Sequence, residues 1–103
     1  MNIGLSLEKL KLSDKYRDRI VNKFTLALSR HLSHLDEDLR KAQVNVSKMA
    51  RGGYEVKFDM KLPFVHVFAK ETGPKLLTTV LKVRDEATRI LRKSLDKMRD
   101  RKR

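Results

Sequence analysis

The sequence predicts an α+β fold: a four-stranded sheet with two helices packed on one face, in the order β-α-β-β-β-α. Three observations predict it. Apolar residues recur at every second position in short segments, as half-buried strands require. They recur at steps of three and four in two longer segments, as amphipathic helices require. Nearly every segment has one apolar side, and a sheet covered by two helices buries all of those sides together. With 103 residues, one domain spanning 1–103 is expected, because domains usually run to about 100–200 residues.

The elements follow in order. Ile3, Leu5 and Leu7 alternate with polar or small neighbours and mark a first strand. Ser13 offers a helix N-cap, its hydroxyl accepting an orphan backbone N–H, and Asp14 suits the positive end of the helix dipole. Tyr16, Ile20, Phe24, Ala27, Leu28, Leu32 and Leu35 then form one stripe. It predicts a helix from about Asp14 to about Leu32, with Asp36-Glu37-Asp38 in a loop beyond it. Ala42, Val44 and Val46 return to a period of two. Arg51-Gly52-Gly53 reads as a hairpin turn, since Gly tolerates positive φ. Tyr54, Val56, Phe58, Met60 and Leu62 face one side of the next strand, and Glu55, Lys57, Asp59 and Lys61 the other. Pro63 marks a turn or an edge. Phe64 to Lys70 predicts a last strand with two largely apolar faces, so that part of it is expected as an exposed patch. Thr72-Gly73-Pro74 opens the final element, Pro suiting the first helical position. Leu76, Leu77, Val80, Val83, Ala87, Ile90, Leu91, Leu95 and Met98 mark a long helix reaching about Arg101.

Charge narrows the function. Lys and Arg total 25 against 13 Asp and Glu, a formal net charge of +12. Residues 1–38 hold 7 basic and 6 acidic side chains, whereas residues 39–103 hold 18 and 7. An excess so unevenly placed favours an anionic partner, nucleic acid above all. No apolar run approaches the roughly 20 residues a bilayer span needs. No basic-then-apolar leader opens the sequence. The absence of Cys removes disulfides and Cys-based zinc sites, and a cytoplasmic setting is expected.

The positive charge collects on particular surfaces. Arg89, Arg92, Lys93 and Lys97 are linked by helical steps of three and four on the second helix. Arg99 begins the terminal run 99–103, which includes Arg101, Lys102 and Arg103. Lys15, Arg19, Lys23 and Arg30 form a row on the first helix. Side by side, the two rows would make a positive groove for RNA phosphates, whose counterions are released on binding. The plainer reading is a solvated helix face held by pairs such as Asp85 with Arg89. Lys48 and Arg51 at the hairpin tip are a second candidate contact. The candidate RNA-binding residues are therefore Lys23, Arg30, Lys48, Arg51, Arg89, Arg92, Lys93, Lys97 and Arg99.

Other chemistry is poorly supported. Tyr54 and Phe58 share a face with Val56 and Met60 and belong to the core, while Phe64 and Phe68 are open to a base-stacking reading. His31-x-x-His34 with Asp36 lacks an assured third metal ligand. His66 has no partner readable from the sequence. There is no Cys nucleophile, no Gly-rich phosphate loop and no convincing Ser–His–acid set, and Glu8, Glu55, Asp59, Asp85 and Glu86 are scattered. Neither catalysis nor a metal or cofactor is expected.

Three segments carry a family resemblance. The first is Leu12-Ser13-Asp14, Arg17, Ile20 and Lys23-Phe24. The second is the hairpin series. The third is Arg89-x-Leu91-x-Lys93 followed by Asp96-Lys97-Met98. In this order and spacing the chain resembles the hibernation-promoting factor and ribosome-associated inhibitor family, in its short form and as a divergent member. Ile90, for instance, stands where a Gln is common. The resemblance implies a protein that binds the small ribosomal subunit and its rRNA near the decoding region. Such a protein fills space needed by messenger and transfer RNA, and silences idle ribosomes in the stress response and stationary phase. Two alternatives remain: a generic double-stranded RNA or DNA binder using the same surface, and a protein–protein adaptor docking through Phe64 and Phe68 or the long helix. No membrane partner is expected. The expected state is a monomer, with a homodimer through the last strand's exposed face as the alternative.

Overall fold

Four strands and two helices make up the computed structural model, which describes residues 1–101. The end of the expected basic run at 99–103 therefore lies outside the described residues. Strand β1 (Asn2–Glu8) leads into helix α1 (Asp14–Leu28). Strands β2 (Lys41–Lys48), β3 (Tyr54–Lys61) and β4 (His66–Gly73) follow, and helix α2 (Leu76–Arg101) closes the chain. The sheet order is β1-β2-β3-β4, so the predicted α+β architecture is the observed one. β1 pairs β2 in parallel, and the remaining pairs are antiparallel. A parallel pair needs a crossover, which α1 supplies.

The core lies between the sheet and the helices. Ile20, Phe24 and Leu28 of α1 meet Val44, Val46, Val56, Phe58 and Met60 of the sheet. Val67 and Ala69 of β4 join them, and α2 adds Leu76, Val80, Val83, Ala87 and Leu91. Burying one such Val, Leu, Ile, Phe or Met side chain is worth about 1.5–3 kcal/mol, so this one cluster orients both helices. Ser13 caps α1 as expected, its Oγ accepting the Tyr16 N–H at 3.2 Å.

Several boundaries differ from the sequence reading. Helix α1 ends at Leu28 and gives way to a 3-10 turn over Ser29–His31. There the Ser29 hydroxyl donates back to the Thr25 carbonyl, the side-chain competition that disfavours Ser inside helices. Leu32 is still fully buried, so the apolar stripe runs on although the helix is shorter. The acidic cluster is not plain loop: Glu37 and Asp38 begin a second 3-10 turn, Glu37–Leu39. β4 begins at His66 rather than Phe64, because the Leu62 N–H donates to the Val65 carbonyl at 2.9 Å and closes a turn around Pro63. Thr72 and Gly73 belong to β4, and α2 starts at Leu76 instead of Pro74. Pro disfavours the helical region for the residue before it, which keeps Gly73 extended.

The hairpin between β2 and β3 turns on Gly52 (φ +92°) and Gly53 (φ +87°). At Gly53 a Cβ would also sit 3.0 Å from the Gly73 carbonyl oxygen.

Candidate nucleic-acid interface

Helix α2 outruns the sheet it packs on. Its 26 residues span about 39 Å at 1.5 Å per residue. An eight-residue strand covers only about 26 Å. The molecule measures 50 × 23 × 17 Å. The fully buried stripe of α2 ends at Leu91, and no described residue after it is fully buried. Apart from Leu95, which packs half-buried against the core, the C-terminal turns therefore extend past it. Arg92, Lys93, Lys97 and Arg99 are all exposed there, and Arg89 is exposed just before Leu91. Cations in these last turns are favoured by the negative end of the helix dipole.

The structure does not merge the two basic rows into a single groove. Lys15, Arg19 and Lys23 line a depression of about 360 Å³ confined to α1, with Leu26 on its wall, 77% exposed. Arg89, Arg92 and Lys93 line another of about 420 Å³ confined to α2, beside Asp85 and Asp96. Each depression is lined by residues of one helix, so the two rows stay apart.

The two helices do share one cleft, of about 400 Å³, where the 3-10 turn after α1 faces the end of α2. Arg30, His31, Ser33 and His34 line it from one side, and Leu95, Met98 and Arg99 from the other. Nε2 of His31 is buried and has no hydrogen-bond partner among the described residues. Burial holds the imidazole below its ordinary pKa, and the positive charges of Arg30 and Arg92 push it in the same direction.

Pairing separates the two faces of the molecule. Among the described residues, none of Lys23, Arg30, Lys48, Arg51, Arg89, Arg92, Lys93, Lys97 and Arg99 lies in an ion pair. Among the described residues the Asp85–Arg89 pair of the plainer reading is not formed, since Asp85 takes Arg84 at 2.9 Å. On the open sheet face, by contrast, Glu55 binds both Lys57 and Lys70 at 3.5 Å. His66, for which no partner was readable, meets Asp59 at 3.0 Å. These two are diagonal neighbours across strands, since Lys61 is opposite His66 and Asp59 opposite Phe68. The sheet face is largely self-neutralised, and the helix face keeps its charge available.

Lys48 and Arg51 are exposed at the hairpin, but the register places that tip at the end of the sheet where both helices begin. They cannot join the cluster at the end of α2 and form a separate basic point. The aromatic residues divide as well. Phe58 is fully buried and Tyr54 packs half-buried on the core. Phe64 also packs against the core, whereas Phe68 is 47% exposed and meets His66 edge-on. His31 and His34 line the arginine-bearing cleft, and no group of three metal-ligating side chains forms among the described residues. No helix among them is long and apolar enough to cross a membrane.

Sequence reasoning missed the shared cleft. Its only local signal is that Leu95 and Met98 carry the apolar stripe past the length of the sheet.

These features define a small α+β scaffold with one charged helix face. No known sequence family and no curated protein matches the chain. Solved structures do match its fold. The N-terminal domain of Protein Y from Thermus thermophilus is 20% identical, with a TM-score of 0.72 over 90% of this chain and 98% of that one. A ribosomal subunit interface protein from Coxiella burnetii is 16% identical, with a TM-score of 0.72 over 90% of this chain and 96% of that one. The chain has the fold of both.

Proposed function

We propose that this chain, as one unit over 1–103, is a ribosome-binding hibernation factor. It docks on the small subunit through rRNA phosphates, occupies the decoding region and represses translation by steric occlusion. It acts in the cytoplasm as a monomer, and no bond is made or broken. The observation that carries this reading is the row of exposed cations toward the end of α2, none of them in an ion pair among the described residues. The fold is shared with a protein described as a ribosomal subunit interface protein, which supports the ribosome over other anionic partners.

Arg89, Arg92, Lys93 and Lys97 are the phosphate contacts of α2, and guanidinium groups suit them through bidentate hydrogen bonds. Arg30 and Arg99 contribute from the shared cleft and Lys23 from α1. Lys48 and Arg51 make a distant second contact.

Reversing Arg89, Arg92 and Lys93 to Glu tests the assignment. The circular dichroism spectrum should be unchanged, because all three lie outside the core, and cosedimentation with purified small subunits should be lost. Unchanged cosedimentation removes it. A duplex-RNA arm at several salt concentrations separates the generic binder: equal affinity for duplex and subunit favours that rival.

A further inference from the structure

We infer that the cleft between the turn after α1 and the end of α2 is a nucleotide site, taking one unstacked base together with its phosphate. The inference rests on the RNA-binding reading above and gives that surface a preference for unpaired nucleotides.

Four features of the cleft fit this ligand. Its volume, about 400 Å³, falls in the range of small-molecule sites, about 300–1,000 Å³. Leu95 and Met98, both half-buried, supply an apolar wall, and a Met thioether makes favourable contacts with aromatic rings. Arg30 and Arg99 bring one exposed cation each from opposite sides, and guanidinium groups suit a phosphate. His31 offers a buried Nε2 that has no hydrogen-bond partner among the described residues. Such an orphan needs an explanation, and the edge of a base supplies a hydrogen-bonding group that the fold does not. Among the described residues, no acidic side chain lines the cleft. The same chemistry could come from a bulged nucleotide in folded RNA or from a free nucleotide.

The test uses the full chain and two RNA hairpins, identical except for a single-nucleotide bulge, read by fluorescence anisotropy. The bulged hairpin should bind about tenfold more tightly, the upper end of what contact between a Met thioether and an aromatic ring provides. Met98→Ser should erase that preference and leave affinity for the paired hairpin unchanged. Met98 lies beyond the buried stripe, and His31→Gln serves as a second variant with the same expectation. Competition of the bulged hairpin by AMP or GMP supports the ligand class and identifies free nucleotide as a source. Lack of competition, with the bulge preference retained, assigns the site to RNA. Equal binding of both hairpins by the unmodified chain overturns the cleft assignment alone. Binding to neither hairpin nor to small subunits overturns the RNA reading and this inference with it.

Discussion

Phe24 of α1 and Phe58 of β3 stack ring on ring, with centroids 5.0 Å apart and planes 12° from parallel. Both are fully buried. The pair joins the first helix to the inner part of the sheet, where β3 lies between β2 and β4. Phe58→Ala should therefore cost about 3–5 kcal/mol, the usual range for Phe truncation in a core, read as a lower urea midpoint. A midpoint within error of the unmodified chain would show that the pair does not anchor α1.

The hairpin glycines should respond unequally. Gly53→Ala meets both a positive φ and the Gly73 carbonyl oxygen 3.0 Å away. Gly52→Ala meets only the positive φ, with nothing within 4 Å of its added Cβ. Left-handed backbone costs an ordinary residue about 1–2 kcal/mol. Thermal unfolding should place Gly53→Ala clearly below Gly52→Ala, and the reverse order would contradict the close approach of the two turns.

Salt dependence should distinguish free from paired cations. If Lys97 neutralises a phosphate, Lys97→Ala should lower the slope of log affinity against log salt by roughly 0.7–0.9. Arg84→Ala should leave the slope unchanged, since Arg84 is already engaged with Asp85 at 2.9 Å. Equal effects would mean that the ion pair does not persist in the complex.

His31 should make stability sensitive to mild acid. Its folded-state pKa lies below the ordinary value of 6.5 through burial, helped by Arg30 and Arg92. As pH falls through about 6.5 the unfolded chain takes up the proton first, so stability declines. The decline levels off once pH passes below the folded-state value. His34 and Arg99 share the cleft and stay in place in His31→Gln. That variant should show a flatter stability profile between pH 7 and 5 in urea titrations. An identical profile would mean that the imidazole is solvated.

Much of this fold was legible because its signals are local. The alternation through Tyr54, Val56, Phe58 and Met60 identifies β3, and Ser13 identifies the start of α1. The end of α1 was misplaced because Leu28 and Leu32 keep helical spacing across a turn that is no longer α-helical. Apolar periodicity reports burial, and a 3-10 turn can continue burial without continuing the helix. The basic residues were equally visible, but their grouping was not. Whether Arg30 meets Arg99 or Arg89 depends on how two helices about 60 residues apart in sequence lie against each other. Nothing near either residue encodes that. The partners of Asp85 and His66 went unread for a related reason, since several cations compete for each carboxylate and only packing chooses among them.

The overhang of α2 separates two demands usually made of the same residues. Up to Leu91 the buried stripe of the helix is constrained by the sheet beneath it, and a substitution in that stripe risks the whole scaffold. Beyond that point, side chains such as Lys93 and Lys97 are constrained only by helix propensity and by whatever they touch outside the molecule. Variation in that segment can retune affinity or change the target while the foundation stays intact, so descendants of this sequence have an inexpensive route to new docking partners.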